Sequence, residues 1–129
     1  DTILEVDYLM GDPGIYTARY AGENATYEDN MNKLIKNMKG VPFAKRTARF
    51  KTVVTYVDGI NDFFVEGCLE GQILEYKQGE LGFGYDPIFY ASKQNISLGN
   101  MSLEEKNKIS HRAIAIEKFA NKIKELMNA

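Results

Sequence analysis

The sequence predicts one domain of mixed α and β structure, α/β or α+β, over residues 1–129. Three observations predict it. Residues 47 to 57 are β-branched and aromatic, with Phe50, Thr52, Val54 and Tyr56 alternating against Arg49, Lys51, Val53 and Thr55. Met31, Leu34, Ile35 and Met38 recur at helical spacing behind an N-cap at Thr26. A second helical region follows Ser102 and closes the chain.

In order, Leu4 to Leu9 reads as a short strand with Leu4, Val6 and Tyr8 on one side, stopped by Gly11-Asp12-Pro13-Gly14. Ile15 to Tyr20 returns to an apolar and aromatic pattern, and a short helical turn is expected there. The amphipathic helix after Thr26 carries acids Glu28 and Asp29 in its first turn and ends at Gly40 and Pro42. Asp58-Gly59 then reverses the long strand, residues 61 to 66 pair back, and Gly67 marks a bulge or a close backbone approach. The strand resumes from Cys68 toward Tyr76, and Gln78-Gly79 opens the loop that contains Gly82 and Gly84. Ile88-Phe89-Tyr90 is a short buried strand. Ser102 and Glu105 form a capping box, and Ser110 caps a last helix whose expected apolar stripe is Ile116, Phe119, Ala120, Ile123 and Met127. No repeat, linker or low-complexity tract divides the chain.

Composition narrows the function. Apolar residues at 44% and charged residues at 26% place the chain among globular proteins, not disordered or fibrous ones. A net charge of −2 gives no long-range attraction for a polyanion, so a nucleic-acid partner is not expected, whereas a nucleotide needs only a few local cations. One cysteine cannot form an internal disulfide, which favours the cytoplasm. Neither a membrane span nor a leader is apparent, so no membrane partner is expected. A lone histidine and a lone cysteine rule out a zinc cluster of those ligands.

Two stretches could carry chemistry. In Gly82-Phe83-Gly84-Tyr85-Asp86-Pro87, a ring between glycines can lie flat on a base while neighbouring amides meet oxygens. The bland alternative is a tight connection. In Ser110-His111-Arg112, potential cations stand in the first turn of a helix, where acids are preferred. Either an electron-rich ligand shares that terminus or both side chains simply reach solvent. Helical spacing leaves Lys106, Lys108 and Lys118 as solvated charges, while Arg46 and Arg49, at the start of a strand, can pair with phosphate or, in the favoured reading, with nearby acids.

Taken together, Leu4-Glu5-Val6-Asp7, the run from Gly11 to Gly22, Gly82 to Phe89 and Ser110-His111-Arg112-Ala113 resemble, in order and over nearly the whole chain, the inosine triphosphate pyrophosphatase family. The resemblance implies that family's mixed sheet flanked by helices. It also implies Mg²⁺-dependent hydrolysis of ITP, dITP or XTP to monophosphate and pyrophosphate, by a homodimer. Carried over by position, Phe83, Gly84, Tyr85 and Asp86 match the base-binding loop, with Phe83 as the stacking ring. Lys106 matches a substrate-contacting lysine, and His111 and Arg112 match the pair facing the 6-keto edge of the base.

The start departs from the family pattern. Where the family has Asp-Asp-Ser-Gly, this chain has Asp1-Thr2-Ile3: Asp1 matches the second aspartate, the general base and metal ligand, and Thr2 supplies a hydroxyl for substrate. Ile3 stands where a glycine would allow a left-handed turn. The family's Ser/Thr-x-Asn-x-x-Lys loop, which grips the triphosphate, is not found in residues 1–129. The expectation is therefore an N-terminally truncated fold with impaired turnover. The alternative is an inactive fragment serving as a nucleotide-binding or dimerising module.

Overall fold

The computed structural model describes residues 2–128. Strands β1 (Thr2–Val6), β2 (Pro13–Gly14), β3 (Thr47–Val57), β4 (Asp62–Ile73), β5 (Phe89–Ala91) and β6 (Ile96–Ser97) form one sheet in the order β2-β1-β3-β4-β5-β6. The α and β class is as the sequence predicts. Every pairing among the described residues is antiparallel, so the mixed sheet implied by the resemblance is antiparallel here. Helices α1 (Tyr27–Asn37), α2 (Leu103–Ile109) and α3 (His111–Met127) complete the fold.

The β3–β4 hairpin is the spine, paired without interruption from Val57↔Asp62 to Thr47↔Gln72. Asp58 shapes its tip by accepting the amides of Ile60 and Asn61. The reversal is thus a four-residue loop and not a two-residue turn. Alternation puts Leu4, Val6, Ala48, Phe50 and Leu69 on one face, where they meet Met31, Leu34 and Met38 to form the core. The other face is charged. There Arg49 bridges Glu70, Asp7 and Glu5, and its hydrogen bonds hold the Asp7 carboxyl below the usual carboxylate range.

Helix starts follow the sequence closely, because the caps are local. Thr26 with Asp29, and Ser102 with Glu105, form capping boxes, and Ser110 Oγ accepts the Ala113 amide.

Several expectations are corrected. The first strand ends at Val6, and residues 7 to 9 form a 3₁₀ turn that leaves Tyr8 exposed, because Gly11 N–H closes back on Val6 O at 3.0 Å. Ile3 is extended and pairs with Lys51, so no left-handed turn is required of it. Helix α3 buries His111 and Ala115, half-buries Phe119 and Ile123, and turns Ile116, Ala120 and Met127 outward. Its rotation is set by Gly67, where a Cβ would overlap His111 O and lie 2.6 Å from Ala115 N. Gly67 is therefore a close approach and not a bulge, since Thr52↔Gly67 stays in register.

Arg46 also differs from expectation. It is buried and pairs with no acid among the described residues; its guanidinium donates to the carbonyls of Ile73 (2.6 Å), Met38 (2.6 Å), Val41 (3.2 Å) and Leu74 (3.0 Å). These groups lie up to 28 residues away and tie the end of α1 to the end of β4. Arg46→Lys keeps the charge but loses the planar fork, and should cost about 2 kcal/mol in urea unfolding.

Candidate functional site

Gly82 adopts φ +78, and a side chain there would strike the Asp86 carboxylate. The loop is thereby free to fold over Asp86, the first residue of a 3₁₀ turn at Asp86–Ile88. Asp86 Oδ2 accepts the Phe83 amide at 3.0 Å and pairs with Lys106 Nζ. Both side chains are over nine-tenths buried. This corrects the reading of Lys106 as a solvated charge: α2 delivers it inward to a partner 20 residues away in sequence. From there its ammonium lies 4.1 Å from the centre of the half-exposed Phe83 ring, and the Arg112 guanidinium lies 5.8 Å from the same centre.

Tyr85 turns the other way. It is buried and donates its hydroxyl to Thr17 O at 2.7 Å, and burial pushes its phenol pKa up, so the group remains a donor. Opposite the loop, His111 opens α3. Its ring stacks on Phe50 at 5.3 Å and 21°, and its Nε2 lies 3.3 Å from Thr2 Oγ1.

His111 Nδ1 is buried with no hydrogen-bond partner among the described residues. A bare lone pair is cheaper to bury than an N–H, which assigns the proton to Nε2, the nitrogen beside Thr2. Burial, with Arg112 and Lys106 nearby, lowers the His111 pKa to about 4. His111 is thus a neutral donor at neutral pH, and the conflict between a cation and the helix terminus remains only for Arg112, which is exposed. The unfolded chain takes up this proton near pH 6.5 and the folded one only near pH 4. Stability should therefore be full above pH 6.5 and fall by about 1–2 kcal/mol by pH 4. Urea unfolding of the wild type and His111→Gln at both pH values checks this, with a smaller fall expected in the variant.

A cavity of about 740 Å³ separates these groups. Phe83, Gly84, Tyr85, Asp86, Lys106, His111, Arg112 and Thr2 all line it, so the structure brings together every predicted site residue among those described. Asp1 lies outside the described residues. Thr17, Ala18, Tyr27 and Asn107 also line the cavity; Thr17 and Ala18 fall in the run from Gly11 to Gly22 that carries the resemblance but were given no site role, and Tyr27 and Asn107 had no signal apart from their helices.

The described residues do not assemble a metal centre. Among them, no group of three or more His, Cys, Asp or Glu could hold an ion. Asp86 is committed to Lys106 and the Phe83 amide.

The model of the Ham1 family matches residues 1–122. The dITP/XTP pyrophosphatase of Thermoanaerobacter sp. (strain X514) is 54% identical over 123 residues, covering 95% of this chain and 62% of its own length. That of Caldanaerobacter subterraneus subsp. tengcongensis is 55% identical over 119 residues, covering 92% and 60%. The solved structure of the Staphylococcus aureus Ham1 protein aligns with a TM-score of 0.91 at 40% identity, covering 97% of this chain and 65% of that one. The chain thus spans less than two thirds of the length of these relatives.

Proposed function

This chain belongs to the Ham1 family, and from that premise we propose that it is the purine-reading part of a pyrophosphohydrolase for non-standard purine nucleoside triphosphates, ITP, dITP and XTP among them. The products are the monophosphate and pyrophosphate. One observation carries the reading: an aromatic ring and two kinds of donor face the same cavity, with Phe83 on one wall and His111 Nε2 and Arg112 on the other.

In this reading the base stacks on Phe83, and its 6-keto oxygen accepts from Arg112 and shares the single Nε2–H of His111 with Thr2 Oγ1 in a three-centre bond. Adenine presents an amino group there, which meets donors with donors. An unpaired charged donor costs about 2–3 kcal/mol, or roughly 30- to 150-fold in affinity. Lys106 is already neutralised by Asp86, so its part is to steady the Phe83 ring, 4.1 Å from its ammonium, and Arg112 supplies the charge that faces the substrate.

Mg²⁺ enters the proposal only through Asp1, which the resemblance makes the metal ligand and general base; the described carboxylates add no partners to it. We also propose a homodimer, supported by the exposed apolar side chains Val57, Ile60 and Phe64 along the β3–β4 hairpin. The proposed compartment is the cytoplasm, supported by the free thiol of Cys68. Neither nucleic acid nor a membrane is a proposed partner: the net charge is −2, and no described helix is long and apolar enough to cross a membrane.

The test is pyrophosphate release from ITP, dITP, XTP, ATP and GTP with Mg²⁺. Turnover of ITP, dITP and XTP with ATP refused supports the enzyme, and GTP, which shares the 6-keto oxygen, reports how far the 2-position is also read. Binding of IMP without turnover leaves the nucleotide-binding module, and absence of both contradicts the proposal.

A further inference from the structure

Thr17 lies outside both predicted stretches, yet it is bonded to the first strand and to the base loop at once. Its Oγ1 accepts the Leu4 amide at 2.9 Å and donates to Gly14 O. It thereby bridges β1 and β2 beside their Leu4↔Gly14 pair. Its carbonyl oxygen accepts the Tyr85 hydroxyl at 2.7 Å, across 68 residues of sequence. Tyr85 is 4% exposed, so this bond is made away from competing water.

Two residues before Leu4, Thr2 Oγ1 meets His111 Nε2 at 3.3 Å. The path from stacking loop to donor helix therefore runs Tyr85, Thr17, Leu4, Thr2, His111, and every link except the strand itself is a side-chain hydrogen bond. Phe83 is two residues from Tyr85 in a loop whose other anchor is Asp86.

We propose that Thr17 is a positioning residue, holding the Phe83–Tyr85 loop at a fixed distance from β1 and hence from the donors of α3, so that a keto purine meets ring and donors together. The proposal rests on the keto-purine reading above. Stacking alone tolerates sliding of the ring, whereas hydrogen bonds to one oxygen do not. Loosening Thr17 should consequently damage discrimination more than general affinity.

Calorimetric titration of the full chain with IMP and with AMP tests this in wild type, Thr17→Val, Thr17→Ser and Tyr85→Phe. Thr17→Val is expected to raise the IMP Kd about tenfold, leave the AMP Kd within about twofold, and so lower the IMP-to-AMP preference. Thr17→Ser keeps the hydroxyl and should restore the preference. Tyr85→Phe removes only the bond to Thr17 O and should lower it as Thr17→Val does. If Thr17→Val does not fold, Tyr85→Phe decides.

A purely structural role would reduce the number of binding sites and leave both dissociation constants alone. That result, or an unchanged preference in Tyr85→Phe, overturns the proposal while a wild-type preference for IMP still stands. Equal wild-type affinity for IMP and AMP instead overturns the keto-purine reading itself.

Discussion

Replacing Gly67 by alanine is expected to destabilise the domain by about 3 kcal/mol and to abolish tight nucleotide binding in the fraction that folds. The new Cβ would overlap the carbonyl oxygen of His111 and crowd Ala115 N and Cβ. All are in α3, two on backbone that cannot rotate away as a flexible side chain can. The strand cannot yield either, because β4 is held by β3 along its whole length. Relief must come from lifting the start of α3, which carries His111 and Arg112, away from the sheet. Urea unfolding should show the loss, and IMP titration should show weakened binding at temperatures where the variant is folded. Wild-type stability in this variant would mean that the contact between α3 and β4 is looser than described.

Asp86→Ala is the second large effect. It strips the partner from Lys106, whose side chain is 8% exposed, and should cost about 3–4 kcal/mol because the ammonium stays buried without a counter-charge. It also frees the Phe83 amide and the loop it fixes. The double variant Asp86→Ala/Lys106→Met removes both charges and is expected to recover most of the stability, while nucleotide binding stays weak because the loop anchor is still missing. Recovery of stability and binding together would show that the pair acts only on the fold.

The parts of this architecture that were legible in the sequence are those encoded within a few residues. Thr26 and Ser102 announce helix starts because a cap and its acid are three apart, and the strand from Thr47 to Val57 announces itself by alternation. The two walls of the cavity were legible for the same reason, each being one short unusual stretch. The burial of Arg46 and Lys106 was not, since Arg46 is held by carbonyls that include Ile73 and Leu74 and Lys106 by Asp86, partners 20 or more residues away that no local pattern announces. The face of α3 was misread because two stripes share Phe119 and Ile123, and only the Gly67 contact chooses the one containing Ala115. The role of Thr17 was not legible beyond its place in the run from Gly11 to Gly22, since its bonds join three segments that no local pattern connects.

The most direct test of the central claim, that the cavity reads a keto purine with Phe83 on one side and Arg112 with His111 on the other, is the Kd of IMP set against that of AMP, in wild type and in Arg112→Ala. The account predicts that wild type binds IMP roughly 30- to 150-fold tighter. It further predicts that Arg112→Ala erases most of that preference by weakening IMP alone, with urea unfolding unchanged because Arg112 is exposed. An IMP affinity that Arg112→Ala leaves untouched would contradict it.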